Sequence, residues 1–243
     1  MVPELEKILA KSQNLVFFGG AGVSTESGIP DFRSVDGLYH QTFRYPPEVM
    51  LSHSFYASHT AEFFDFYRQK LIVHGARPNA AHLRLAKLEQ QGTCKAVVTQ
   101  NIDGLHQAAG SRTVYELHGS TLRNYCTRCG KFYPVEFIEQ AAGQGDGIPR
   151  CTDCGGIVKP DVVLYEEGLD EATMENAMRA IAAADTLIVG GTSLAVYPAA
   201  GLLRYFRGDT LVVINKQPTP ADSMASLVLN LPIGQALAED NTP

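Results

Sequence analysis

Four of the five cysteines fall in two Cys-x-x-Cys pairs, Cys126/Cys129 and Cys151/Cys154, with 21 residues between the pairs. No other feature of the 243-residue chain restricts its fold so strongly. Paired knuckles of this kind set four thiolates where one tetrahedral Zn²⁺ can hold them at about 2.3 Å. Glycine follows each pair, at Gly130 and at Gly155-Gly156, and lets backbone amides turn back toward the sulfurs. Four unrelated buried cysteines is the competing reading, and the spacing disfavours it. Four sulfur ligands leave no open position, so the ion is structural, and a stretch this poor in apolar residues needs it to order. The fifth, Cys94, precedes a predicted strand and reads as a small buried hydrophobe rather than a reactive thiol.

Around this module the pattern is that of an α/β protein. Short apolar runs, Leu15–Phe18, Ala96–Thr99, Thr186–Val189 and Thr210–Ile214, read as buried strands. Helical spacing separates them at 4–12, 80–90 and 171–184. Strands alternating with helices imply a Rossmann-like parallel sheet. Two segments break the rhythm: 32–75, rich in aromatics and without a strand-like run, and 122–157, which carries the knuckles. The expected organisation is therefore a sheet domain from 1–31, 76–121 and 158–243, with a smaller domain inserted into it. That smaller domain combines a loop and helical part, 32–75, with a zinc-ribbon part, 122–157. Aromatics at helical spacing over 55–67 read as core before they read as ligand contacts.

Composition narrows the function. A formal net charge of −6 argues against a dedicated nucleic-acid binder. The acidic start Met1–Glu6 lacks the basic, apolar character of a secretory signal, and no apolar run approaches the ~20 residues of a membrane span. A cytoplasmic protein is expected, in which an odd cysteine count points to metal rather than disulfides.

The run Leu15–Phe18 leads into Gly20-Ala21-Gly22-Val23-Ser24-Thr25. Glycines after a strand let the backbone approach a pyrophosphate, and a helix starting there would add its dipole. Thr25 stands where the third glycine of the dinucleotide fingerprint belongs, so a tight strand-to-helix turn is an equal reading of this loop alone. With that gap, and no acidic residue ending a clear second strand, an ordinary dehydrogenase is disfavoured.

Taken together, GAGVSTESGIPDFR (20–33), TQNIDGLH (99–106), ELHG (116–119), the two Cys-x-x-Cys pairs, GTSLAVYPA (191–199) and the Val212–Asn215 strand end resemble the sirtuin family of NAD-dependent protein deacylases. The strings run in family order over nearly the whole chain, which resembles a compact bacterial-type member. The resemblance implies that NAD and an acyl-lysine peptide meet in a cleft between the two domains. It places Gly20, Ala21, Gly22 and Thr25 at the pyrophosphate, and Phe32 and Arg33 in a loop closing over the nicotinamide ribose. It places Gln100, Asn101, Ile102 and Asp103 at the nicotinamide half. There Asp103 accepts from the carboxamide and Asn101 positions the ribose or a water. Gly191, Thr192, Ser193 and Asn215 meet phosphate and adenosine ribose, and Ile233 the adenine edge. Asp31 either braces the cofactor loop or touches substrate.

The implied chemistry has His118 and Asn101 as its catalytic residues. The acyl oxygen attacks the ribose C1′ as nicotinamide leaves, and His118 is general base on the ribose hydroxyls. Transfer to the 2′-hydroxyl and hydrolysis then give free lysine and O-acetyl-ADP-ribose. A near-neutral imidazole suits that role. Among the other histidines, His106 lies within the 99–106 string and reads as structural, and His82 as a surface or packing residue. Val163, Leu164 and Tyr165 match the strand that pairs with substrate. The chain departs from the family at Tyr165-Glu166-Glu167, where Phe-Gly-Glu is commoner. Members preferring acidic acyl groups carry a Tyr and an Arg where this chain has Phe64 and Tyr67, so acetyl or longer apolar groups are expected over succinyl. Mono-ADP-ribosyl transfer from the same NAD site is the alternative activity. A non-catalytic NAD sensor or zinc-dependent interaction module is a third. The working unit is expected to be a monomer.

Overall fold

The structure is a computed structural model that describes residues 2–31 and 44–239. Six strands form one parallel sheet: β1 (Leu15–Gly19), β2 (Cys94–Thr99), β3 (Val114–Glu116), β7 (Thr186–Gly190), β8 (Thr210–Ile214) and β9 (Leu227–Leu229). Their spatial order is β3-β2-β1-β7-β8-β9, and every neighbouring pair is parallel. All of β1 and β7 is buried, as their unbroken apolar sequences require of strands covered on both faces.

The two faces feed separate cores. Leu15 and Phe17 of β1 pack with Leu5 and Leu9 of α1 (Pro3–Lys11), Leu85 of α5 (Ala80–Gln90), and Ile233 and Leu237 of α9 (Ile233–Leu237). Val16 and Phe18 point the other way, against Ala177 and Ile181 of α8 (Glu171–Ala183). Cys94 is buried in the first of these cores. There, burial pushes its thiol up to about 12, in keeping with an inert hydrophobe.

A second, antiparallel sheet has the order β5-β4-β6, from β4 (Gly119–Cys126), β5 (Phe132–Pro134) and β6 (Val158–Val162). It takes in 119–121 and 158–162, which the sequence pattern assigned to the large domain. Lys159 and Asp161 alternate with buried positions in β6, so no apolar run marked it as a strand. Helices α2 (Pro47–Met50), α3 (His53–Ser58) and α4 (Thr60–Lys70) pack on this sheet with α7 (Val135–Gln140). Phe63, Phe64 and Tyr67 are fully buried in one core with Cys126, Tyr133 and Val158. The aromatic run is core, as its spacing implied. Among the described residues no helix is long and apolar enough to cross a membrane.

Candidate active site

The chain runs outward from β1 through β2 to β3 in one direction and from β7 through β8 to β9 in the other. The carboxyl ends of β1 and β7 therefore flank a point where strand order reverses, where open α/β sheets bind ligands. A cavity of about 560 Å³ opens there, lined by Gly20, Ala21, Gly22 and Thr25, by Gln100–Asp103 and His118, and by Gly191–Ser193, Asn215 and Ile233. Val163, Leu164 and Tyr165 of the small-domain edge line it as well. Nearly every residue singled out from sequence thus faces one cleft. Phe32 and Arg33 lie outside the described residues.

At the floor the turns after β1 and β7 touch. The Gly22 amide donates to the Gly191 carbonyl at 2.8 Å, and a Cβ on Gly22 would stand 2.8 Å from the Gly191 backbone. Gly191 holds φ +57, a left-handed conformation that glycine adopts without strain. The loop continues as two 3₁₀ turns, Ala21–Val23 and Thr25–Ser27, so the helix whose dipole the sequence suggested is not formed. The macrodipole of a longer helix is therefore missing, and the amides of Gly20 and Gly22 are spent on the Gly190 and Gly191 carbonyls. Thr25 gives its hydroxyl proton to the Gly22 carbonyl at 3.0 Å, bracing the loop. Thr192 Oγ1 accepts from Gln100 Nε2 (3.1 Å) and from the Leu194 amide (3.2 Å). Ile233 is only 2% exposed, a core residue that also walls the cleft.

One residue that the sequence reading passed over organises the β2 side. Ser24 Oγ donates to Asp103 Oδ2 at 2.6 Å, because a carboxylate can only accept. It therefore receives its second bond, 3.0 Å, from Asn101 Nδ2. That fixes the Asn101 amide and leaves its carbonyl oxygen as an acceptor. Asp103 Oδ1 takes the Leu105 amide at 2.9 Å. Ser24 lies 77 and 79 residues from these partners, so no local pattern could have revealed it.

His118 Nδ1 lies 2.9 Å from the Gln100 carbonyl oxygen. Burial lowers the pKa of the ring, and the bond to Gln100 opposes that only in part. Behind the cleft, His82 and His106 pack ring to ring with centroids 4.7 Å apart, and both are essentially inaccessible. Both are packing residues, as their sequence positions suggested.

In the small domain the four thiol sulfurs of Cys126, Cys129, Cys151 and Cys154 all lie within 4.8 Å of one another. Cys126 and Cys154 are 3.4 Å apart, Cys129 and Cys151 3.6 Å. A tetrahedron with metal–sulfur bonds of about 2.3 Å has edges of about 3.8 Å. The arrangement fits Zn²⁺ and excludes disulfides. Tyr133 Oη donates to Cys151 Sγ at 3.2 Å, a hydrogen bond suited to a metal-bound thiolate.

Comparisons with known proteins agree with this geometry. The sequence profile of the Sir2 family matches residues 20–198. An NAD-dependent protein deacetylase of Clostridium acetobutylicum is 61% identical over 238 residues, covering 97% of this chain and 96% of that protein. A solved complex of Sir2 with a p53 peptide and NAD⁺ superposes with a TM-score of 0.86 at 39% identity, over 98% of this chain and 95% of that one. A Sir2 complex with an inhibitor, 2′-O-acetyl-ADP-ribose and deacetylated p53 peptide gives 0.83 at 37% identity, over 97% and 96%.

Proposed function

The chain belongs to the Sir2 family, and from that premise we propose that it is an NAD-dependent protein lysine deacetylase. The observation that carries the proposal is the union of three things in one cleft: a histidine with one ring nitrogen tied back, the Ser24–Asn101–Asp103 network, and the edge Val163–Tyr165.

The dinucleotide lies along the β1 and β7 turns. The backbone of the Gly20–Gly22 turn, through the Ala21 amide, and the hydroxyl of Thr192 face its phosphates, and Asn215 at the end of β8 faces the adenosine ribose. Nicotinamide occupies the pocket beside Ile102 and Asp103. The Asn101 carbonyl, free because Ser24 holds its amide nitrogen, accepts from a ribose hydroxyl or an ordered water. His118 has the form a base needs. Since the Gln100 carbonyl can only accept, Nδ1 carries the proton, and Nε2 keeps a lone pair to draw a proton from the ribose hydroxyls. The acyl oxygen of the substrate lysine first displaces nicotinamide at C1′. The activated 2′-hydroxyl then attacks the imidate carbon, and water releases free lysine and O-acetyl-ADP-ribose. The zinc does not enter the reaction. Held by Cys126, Cys129, Cys151 and Cys154, it would supply the cross-link on which the small-domain core is built.

Incubation with NAD and acetyl-, butyryl- and succinyl-lysine peptides, with mass analysis of both products, tests this. Free lysine peptide with acetyl-ADP-ribose is the expected pair. A peptide heavier by one ADP-ribose would instead identify a mono-ADP-ribosyltransferase.

A further inference from the structure

Among the described residues, two that are not glycine hold a positive φ: Glu166 at +76 and Leu194 at +57. Glu166 follows the edge Val163–Tyr165. Leu194 lies in the segment whose neighbours Ser193 and Val196 form another part of the cleft wall. Left-handed backbone at a side-chain-bearing residue persists only where other contacts hold it. For Leu194 the holding contacts are evident: its side chain is buried and its amide donates to Thr192 Oγ1 at 3.2 Å.

For Glu166 they come from its own carboxylate. Oε2 accepts from the Ser54 amide at 2.9 Å and from the Ser54 hydroxyl at 2.5 Å, in the first turn of α3. The residue before it is tied to the same place. The Tyr165 amide donates to the Leu51 carbonyl, and the His53 amide to the Tyr165 carbonyl, both at 2.9 Å. The residue after it completes the fastening. Glu167 takes the Leu164 amide at 2.9 Å and Lys159 Nζ at 3.1 Å on Oε2, and meets His53 Nδ1 at 2.9 Å on Oε1.

We propose that Glu166 is a positioning residue for the acyl-peptide: its carboxylate clamps the edge Val163–Tyr165 onto α3, so that the edge is ordered before substrate arrives. The inference rests on the deacetylase reading above and adds to it a residue at the cleft wall that acts on the peptide through the edge it holds. A strand edge that is already ordered loses less conformational freedom when a peptide pairs with it. The clamp therefore bears on peptide affinity and leaves the bond-making steps alone.

Glu166→Gly gives the decisive test, because glycine adopts φ +76 without strain. If the side chain merely tolerates a strained position, Glu166→Gly is neutral or beneficial. If the side chain is a clamp, loss of its two hydrogen bonds to Ser54 raises the KM for an uncharged acetyl-lysine peptide by roughly three- to tenfold. In that case kcat and the KM for NAD stay within about twofold. Glu166→Gln keeps an oxygen for both Ser54 donors and is expected to behave like wild type. An unchanged peptide KM in Glu166→Gly overturns the inference. So does a Glu166→Gln variant as impaired as Glu166→Gly, since charge would then be the cause. Parallel losses in NAD KM and melting temperature would show a general structural defect and overturn it too. Peptide Kd by fluorescence anisotropy reads the clamp without turnover. Wild type that binds the peptide but does not deacetylate it would sink the functional reading alone.

Discussion

The Nδ1 nitrogen of His118 sits 2.9 Å from the carbonyl oxygen of Gln100, and this single contact assigns the tautomer of the imidazole. As the proposed base the ring acts in its neutral form, and burial holds its pKa below the usual histidine value. The acid limb of the kcat/KM profile is accordingly expected below about pH 6.5, the unperturbed value. His118→Ala should lower kcat by about 10²-fold or more in a protein that still melts cooperatively. A folded variant with near-normal turnover would remove His118 from the mechanism.

Metal removal is expected to act on the fold. Cys126 and Cys151 belong to the same buried core as Phe63, Tyr67 and Val158, so the sulfurs anchor the helices as well as the ribbon. Structural zinc sites contribute on the order of 10 kcal/mol to folding. One zinc per chain by elemental analysis is expected. Chelation, or Cys151→Ala, should cause a large fall in melting temperature along with loss of activity. Chelated, metal-free protein with an unchanged melt would show the four thiols to be structurally idle.

The parts of this molecule that could be read in advance are those whose signal is local. Strands β1, β2, β7 and β8 are continuous apolar runs because both faces of a parallel sheet are covered. The four zinc ligands declare themselves by spacing. Strands β3 and β9, three residues each, are too short to carry a period, and in β6 the alternation of Lys159 and Asp161 with buried positions hid a small-domain strand. Ser24 and Glu166 have their partners on distant segments, Asn101 and Asp103 for one and Ser54 for the other. Only the folded chain brings those pairs together.

The buried pair His82 and His106 makes stability depend on pH. His82 Nδ1 accepts the Asn79 amide in the cap of α5, while His82 Nε2 and both ring nitrogens of His106 have no partner within the described protein. Desolvation lowers both pKa values, that of His106 to about 3. In the unfolded chain these rings titrate near about 6.5, so below that pH the unfolded state binds more protons than the folded one. Stability should be flat above about pH 7 and fall progressively toward pH 4, by on the order of a few kcal/mol. Urea unfolding at several pH values measures the slope, and His106→Leu should flatten it. A slope unchanged by that substitution would assign the acid sensitivity to other groups.

The contact between the β1 and β7 turns leaves no room for a side chain. A methyl group at position 22 would meet the Cα and carbonyl oxygen of Gly191, which are backbone atoms and cannot rotate away. Gly22→Ala is expected to separate the two turns by a few tenths of an ångström and to displace the backbone of the turn proposed to meet the phosphates. The KM for NAD should rise at least about tenfold, with a smaller effect on the KM for peptide. Equal changes in both would mean that the loop serves the whole cleft rather than the dinucleotide.

Acyl selectivity follows from what faces the cleft. Phe64 and Tyr67 are fully buried, and neither lines the cavity, so the pair that would distinguish a succinyl-preferring site is absent in chemistry and in place. Arg68, the next residue on α4, is committed to the small domain: it donates to the Gly147 carbonyl at 2.9 Å and to Asp65 at 2.7 Å. No arginine occurs among the described residues of the wall; its lysines are Lys70, which is not free, and Lys216, which follows Asn215 after β8 rather than lying on the peptide edge. The walls near the peptide edge are instead apolar, from Leu51, Leu71, Ile102 and Val162. An acetyl or butyryl group loses nothing by entering such a tunnel. A succinyl carboxylate must shed its hydration without a cation to replace it, at a cost of roughly 2 kcal/mol or more. Acetyl-lysine is therefore expected to exceed succinyl-lysine in kcat/KM by at least about tenfold on one peptide sequence. Placing arginine at position 67 should narrow that ratio if the tunnel is reached from α4. Parity between the two acyl groups in wild type would mean that a cation reaches the acyl group from elsewhere in the chain.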